Sequence, residues 1–196
     1  MMLPKRTIAI DLCNTVCDIN GSLERYLCTV RKKGAYHIDG VTPDFFLEHP
    51  EIFRDAEPFP YAAVTLRMLS DFYNIVYLTA RPEEAHDATL DFLFKNGFPL
   101  GEIIFSKNKV DVFKQRSMVF AIDDAPHEIE AYTQAGITVL VKAWDYNKHA
   151  KLRFEWGELY SMLKRRNQRY AGFFRFRLHS QQCNDARHGL YYKGGV

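Results

Sequence analysis

Four apolar runs in this 196-residue chain lead into side chains able to do chemistry. Ile8-Ala9-Ile10 stops at Asp11, Ile75-Val76-Tyr77-Leu78 at Thr79, and Val119-Phe120-Ala121-Ile122 at the pair Asp123 and Asp124. Lys107 and Lys109 follow the fourth run, Ile103-Ile104-Phe105. In parallel α/β sheets ligands bind beyond the carboxyl ends of the strands, so these residues would gather at one edge. Two sources of carboxylate there suit a hard Mg²⁺ ion that keeps several waters, while a hydroxyl and an ammonium suit a phosphate.

The elements that must position these groups can be read from periodicity. Short runs rich in β-branched and aromatic residues (7–10, 75–78, 103–105, 118–122 and 137–141) alternate with stretches of helical spacing, the pattern of a parallel sheet covered by helices. Ala62, Leu66 and Leu69 mark a helix before the second run, and Leu90, Leu93 and Phe94 one after it, stopped by Gly97. Pro126 to Ala135 suits a helix with Pro in its first turn and Gly136 just past its end. Residues from about 16 to 60 are too many for a bare loop and predict a small inserted cap, mostly helical.

Four motifs in order carry a resemblance to a known family. Asp11-Leu12-Cys13-Asn14-Thr15-Val16, Leu78-Thr79-Ala80-Arg81-Pro82, the Lys109 region and Ile122-Asp123-Asp124 resemble motifs one to four of the haloacid dehalogenase superfamily of phosphatases. The Thr-Ala-Arg-Pro wording, the cap between motifs one and two, and Trp144-Asp145-Tyr146-Asn147 are most similar to the 5′-nucleotidase branch that includes the 5′(3′)-deoxyribonucleotidases. The likeness covers about residues 6–160. It implies an α/β Rossmannoid core from 1–16 and 60–160, a cap at 17–59, and a basic C-terminal tail at 161–196.

It also implies roles. Asp11 would be the nucleophile that forms an aspartyl-phosphate. Asp11, Asp123 and Asp124, with the backbone carbonyl of Cys13, would surround Mg²⁺. Thr79, Ala80 and Lys109 would bind the phosphate, with Lys107 the alternate lysine; Asp124 would orient a metal-bound water or the lysine. The substrate would be a nucleotide or another small phosphomonoester.

Cys13 departs from the pattern, which has an Asp there to protonate the leaving oxygen and then activate water. A thiol ionises several units above a carboxylic acid and does this less well. Such proton transfer is worth about 10²- to 10⁴-fold, so esters with basic leaving groups should turn over slowly. Two readings stay open at this point, a working phosphatase and a catalytically impaired protein that binds nucleotides or phosphorylated ligands, with Cys13 a small buried hydrophobe.

Each residue also has a plainer reading. Asp11 could cap a helix, Thr79 could cap the one opened by Pro82, and Asp123 and Asp124 could sit at a helix N-terminus. Arg81 reads equally as a loop brace through a salt bridge or as a substrate contact. Tyr26, Tyr36, Phe45 and Phe46 could stack on a base or form the cap's own core. His37, His49 and His86 read as ordinary surface or cap residues.

Lys and Arg number 26 against 24 Asp and Glu, a net charge of +2 that excludes a uniformly basic nucleic-acid binder. The charge is uneven: residues 164–196 carry +7 and the remainder −5. Phe174-Arg175-Phe176-Arg177 interleaves rings and guanidinium groups, a pattern open to a solvated terminus or to a grip on nucleic-acid ends. No apolar run approaches the roughly 20 residues of a membrane span, and residues 1–10 lack a signal-peptide core, so a soluble cytoplasmic protein is expected. Cysteines at 13, 17, 28 and 183 have no CxxC pairing and no close histidine, which argues for free thiols and against a zinc site.

Overall fold

The computed structural model describes residues 4–165. Residues 4–159 belong to one unit; 160–165, the described part of a second, are helical. Strand β1 (Arg6–Ile10) leads into an excursion containing β2 (Cys17–Asp18), α1 (Ile19–Leu27), α2 (Pro43–Glu48), α3 (Glu51–Arg54) and the returning β3 (Glu57–Pro58). The chain then alternates through α4 (Ala62–Ser70), β4 (Tyr73–Thr79), α5 (His86–Lys95), β5 (Glu102–Phe105), α6 (Lys109–Gln115), β6 (Ala121–Asp123), α7 (Pro126–Gln134), β7 (Val139–Lys142) and β8 (Arg153–Phe154).

Six strands pair in the order β5-β4-β1-β6-β7-β8, every pairing parallel. β1 is therefore interior, and the chain builds outward from it first to one side and then to the other. Such a reversal opens a crevice at the carboxyl ends of the strands it separates. Ile10 pairs with Tyr77 on one side and Ile122 on the other, so Asp11 and Asp123 come level one step later and Thr79 lies one step beyond.

The near-continuous apolar runs follow from burial on both faces. Ala9, Val76, Leu78, Ala121, Val139 and Val141 pack with Phe113 of α6 and Tyr132 of α7 in one core. Ile8, Ile10, Ile75 and Tyr77 occupy the alternate positions and are also buried, as period-two side chains of a covered sheet must be. Truncating one such residue, Leu78→Ala, would cost about 2–5 kcal/mol.

Helices α5, α6 and α7 end in the same way. Each is followed by a left-handed residue whose N–H, with that of its successor, satisfies the last carbonyls: Gly97 (φ 66°) after α5, Ser117 (φ 50°) after α6 and Gly136 (φ 72°) after α7. This geometry corrects two strand starts. The N–H of Met118 bonds the Phe113 carbonyl and that of Ile137 bonds the Tyr132 carbonyl, so both residues close a helix. The strands predicted at 118–122 and 137–141 begin instead at Ala121 and Val139.

The excursion is less helical than expected: α1, α2 and α3 supply 9, 6 and 4 of its residues, and 28–42 are turns and irregular chain. β2 and β3 pair antiparallel at its base, and the Asp18 side chain caps α1 by accepting from the Gly21 N–H at 2.8 Å. Ile19 and Leu23 of α1 and Ile52 and Phe53 of α3 are buried, and α3 packs on α5 of the main unit. No helix among the described residues is long and apolar enough to cross a membrane. Most of the basic tail, 166–196, including the run around Phe174, lies outside the described residues.

Candidate active site

β1 delivers Asp11 and β6 delivers Asp123 to the crevice, both buried. Lys109 reaches them from α6: its Nζ donates to Asp11 Oδ1 at 2.7 Å and to Asp123 Oδ2 at 2.8 Å. Lys109 is the first residue of that helix and is only 3% exposed. A buried cation at a helix N-terminus opposes the helix dipole, so its position is explained by the carboxylates rather than by the helix. Asn108 precedes it as the cap, its side chain accepting from the Asp111 N–H. Lys107, the alternate lysine, is exposed at the rim and makes neither contact.

The other oxygen of Asp123 is held by the N–H groups of Asp124 and Ala125, at 2.8 and 3.0 Å. Asp124 turns away from the lysine: Thr15 Oγ1 donates to its Oδ1 at 2.7 Å and the Tyr146 hydroxyl to its Oδ2. The expectation that Asp124 orients the lysine therefore finds no contact. Ligand oxygens of Asp11, Asp123 and Asp124 nevertheless lie within 4.8 Å of one another, the sole such group of metal-ligating side chains among the described residues.

One lysine stands against three buried carboxylates, and the electrostatics reflect the shortfall. Burial raises the Asp11 pKa, with Asp123 adding repulsion and Lys109 offsetting part of it. Burial pushes Asp124 well above the usual carboxylate range, and Asp11 and Asp123 add to it. Burial opposes the charge on Lys109, yet Asp11 and Asp123 hold its pKa well above the ordinary value. The surplus of negative charge, in oxygens alone, fits a hard divalent cation.

Thr79 is fully buried, and its Oγ1 accepts the Arg81 N–H at 3.3 Å, which leaves the hydroxyl proton for another partner. Ala80 lies beside it on the cavity wall. Arg81 is a brace, but not through a salt bridge: Nε donates to Cys13 Sγ at 3.2 Å, another guanidinium nitrogen to Cys17 Sγ at 3.4 Å, and the third to Thr89 Oγ1 at 3.0 Å. Its guanidinium carbon sits 4.3 Å from the Phe53 ring centre. Burial raises the Cys13 pKa despite Arg81, which favours a neutral thiol.

The loop after Asp11 is pinned from the far end of the chain. Asn14 is left-handed (φ 58°), its carbonyl accepts from Trp144 Nε1, and the Thr15 carbonyl accepts from Trp156 Nε1, both at 2.7 Å. Sequence reasoning missed Thr15 and Tyr146 as partners of Asp124 because 109 and 22 residues separate them from it. A cavity of about 240 Å³ opens over Asp11, Thr79 and Lys109 beneath the excursion. Tyr36 and Phe46 line it, whereas Tyr26 and Phe45 pack on His49 and do not. His37, expected as an ordinary surface or cap residue, lines it as well, opposite His127.

The excursion is fastened over this edge by Asp145, which accepts from Arg31 at 2.8 Å and from the Gly34 N–H at 2.6 Å. Arg31 also lies over the rings of Trp144 and Tyr146.

Comparisons agree with this architecture. A Streptococcus pneumoniae haloacid dehalogenase-like hydrolase superposes with a TM-score of 0.52 at 16% identity, covering 81% of this chain and 98% of its own. CbbY of Rhodobacter sphaeroides, solved with phosphate, gives 0.50 at 14% identity, covering 80% and 96%. A Bacillus cereus protein named as a nucleotidase is 31% identical over 121 residues, 58% of this chain and 64% of that protein. One from Oceanobacillus iheyensis, named likewise, is 27% identical over 105 residues, 50% and 56%. The chain thus spans less than two thirds of the length of these relatives. The model of the family described as 5′ nucleotidase, deoxy (pyrimidine), cytosolic type C matches residues 42–169, which include Thr79, Lys109, Asp123 and Asp124 but not Asp11. With more than half of its residues in that match and a haloacid dehalogenase-like sheet beneath them, the chain belongs to the cytosolic type C 5′-nucleotidase family.

Proposed function

We propose that this chain is a Mg²⁺-dependent phosphatase that hydrolyses a nucleoside monophosphate through an aspartyl-phosphate on Asp11. The observation that carries the reading is Lys109 bridging Asp11 and Asp123 at the interior of the sheet, one residue short of Thr79. A phosphate arriving there meets the ammonium and the Thr79 hydroxyl as donors. The carboxylate of Asp11 attacks phosphorus in line, the P–O ester bond breaks, and the leaving oxygen departs on the opposite side. Water then attacks the acyl phosphate and returns Asp11 and inorganic phosphate.

Mg²⁺ held by Asp11, Asp123 and Asp124, with the Cys13 carbonyl on the same loop, would neutralise the charge between carboxylate and phosphate. Lys109 favours the ionised form of Asp11 that attacks, against the opposing effect of burial, and Thr15 and Tyr146 hold Asp124 in one orientation. The 17–59 segment acts as a cap, keeping water out and shaping the cavity for the leaving nucleoside. Cys13 stands where the leaving oxygen needs a proton; its neutral thiol can supply one only weakly, so the leaving group's own acidity governs the rate.

The test is release of inorganic phosphate from nucleoside monophosphates with Mg²⁺ or with chelator. Activity that needs Mg²⁺ and falls at least about 10³-fold in Asp11→Asn supports the reading; identical behaviour of native protein and Asp11→Asn overturns it. Cys13 favours one second reading, a protein that binds nucleotides and turns them over slowly. Saturable nucleotide binding without phosphate release would select it. Action on nucleic-acid ends depends on the tail beyond residue 165, and loss of oligonucleotide binding on deleting 167–196 is its test.

A further inference from the structure

Among the polar side chains that the excursion lends to the cavity wall, His37 and Thr42 are exposed and the Asn20 amide nitrogen is enclosed. Tyr36 lies between these extremes. It is half-buried, with its ring edge-on to Tyr146 at 5.2 Å between centres, to His127 at 5.6 Å and to His37 at 4.3 Å. Tyr146 is the residue whose hydroxyl donates to Asp124, so the Tyr36 ring is set one side chain away from the carboxylates. The Tyr36 hydroxyl has no hydrogen-bond partner among the described residues, yet it is not sealed: it keeps accessible surface on a residue that lines the cavity. The charges it feels show where it points, because Asp124, Asp11, Asp123 and Lys109 all act on it. Burial, and after it the three carboxylates, push its pKa above the ordinary value, so the group holds its proton and is a donor.

An in-line attack by Asp11 comes from the β1 side, which turns the leaving oxygen away from β1 and towards the excursion. The charge that develops on that oxygen meets no carboxylic acid from residue 13, where the Cys13 sulfur accepts from Arg81. We propose that Tyr36 is a catalytic residue whose hydroxyl donates a hydrogen bond to the leaving oxygen of the phosphate ester. This rests on the phosphatase reading above and deepens it. The P–O bond breaks with its electron pair on the leaving oxygen, and the phenolic O–H stabilises the charge as it grows. The O–H bond of Tyr36 does not break; the departing alcohol takes its proton from water. A donor already fixed by ring packing needs no reorganisation at the moment of reaction, which is what makes such a contact effective.

The test is kcat/KM with Mg²⁺ for native protein and Tyr36→Phe, on a nucleoside monophosphate and on aryl phosphates of graded leaving-group acidity. Phenylalanine keeps the ring against Tyr146 and His127, so an unchanged melting temperature and unchanged inhibition by inorganic phosphate are expected. The expected result is a fall of about 10- to 10²-fold for the nucleotide against less than about threefold for the most acidic aryl ester, since only a basic leaving oxygen needs the donor. Across the aryl series the dependence of rate on leaving-group pKa should steepen in Tyr36→Phe. That comparison is made between esters on one preparation and is independent of the fraction folded. An equal loss on all esters, an unchanged slope across the series, or weaker inhibition by inorganic phosphate overturns the proposal, the last by placing the hydroxyl on a non-bridging oxygen. A native protein that releases no phosphate from any ester removes the phosphatase reading and this proposal with it, whereas activity that Tyr36→Phe lowers without selectivity removes the proposal alone.

Discussion

Cys13→Asp converts the chemical argument into numbers. The new carboxylate lies where Cys13 Sγ now accepts from Arg81 Nε at 3.2 Å. At an effective dielectric of about 20, charges at that separation attract by about 5 kcal/mol. Desolvating the carboxylate costs several kcal/mol, so the two effects nearly cancel and the variant should fold with little change in melting temperature. Catalysis is different. A carboxyl group at this position can protonate the leaving oxygen and then take a proton from water, which is worth about 10²- to 10⁴-fold, or about 3–5 kcal/mol of barrier. Arg81 keeps the new group ionised, which weakens it as an acid and leaves it effective as a base, so the lower end, about 10²-fold, is expected for alkyl phosphates. An aryl phosphate, whose leaving group needs no proton, should gain less than about tenfold. The assay is kcat/KM for a nucleoside monophosphate and an aryl phosphate, native against variant, in Mg²⁺. Equal gains for both esters, or none for either in a folded variant, would refute the idea that proton transfer at residue 13 limits turnover.

Three further variants and one acid titration have definite expected outcomes. Lys109→Met leaves Asp11 and Asp123 buried without their shared cation, and urea unfolding should show a loss of about 3–5 kcal/mol, part of it recovered by added Mg²⁺. Asp145→Ala should raise KM more than it lowers kcat, because it unfastens the excursion at Arg31 and Gly34 and leaves Asp11 and Lys109 in place. The Gly34 N–H, and Arg31 after it, hold the Asp145 pKa below the ordinary value, against burial. The fastening is therefore complete above the ordinary aspartate pKa and is lost as pH falls through the lowered one, which acid titration of native protein against Asp145→Ala would detect. Ser117→Gly should stabilise the protein by about 1 kcal/mol, since Ser117 holds a left-handed conformation that glycine adopts freely; the urea midpoint checks it.

Much of this was legible in the sequence, and the exceptions have physical reasons. The parallel sheet was visible because burial on both faces leaves continuous runs such as Ile75-Val76-Tyr77-Leu78. α7 announced itself by Pro126 and Gly136, residues whose backbone preferences are strong. The starts of β6 and β7 did not, because Met118 and Ile137, apolar residues that read as strand, spend their N–H groups closing the preceding helices. Asp11, Thr79, Lys109 and Asp123 could be found because each sits at a strand end or on the first residue of a helix. The contacts of Asp124 with Thr15 and Tyr146, and of Arg81 with two thiols, depend on folding across tens of residues and leave no local pattern.

The chain has two tryptophans, and both indole N–H groups donate to consecutive carbonyls, Asn14 and Thr15, of the loop that follows Asp11. Trp156 is buried and Trp144 is stacked on Tyr146, which itself holds Asp124. Intrinsic fluorescence therefore reports this one loop. A shift in emission on adding a ligand marks a rearrangement within a few ångströms of the carboxylates, with no label introduced, and single Trp→Phe variants separate the signal of the aromatic stack from that of the buried ring.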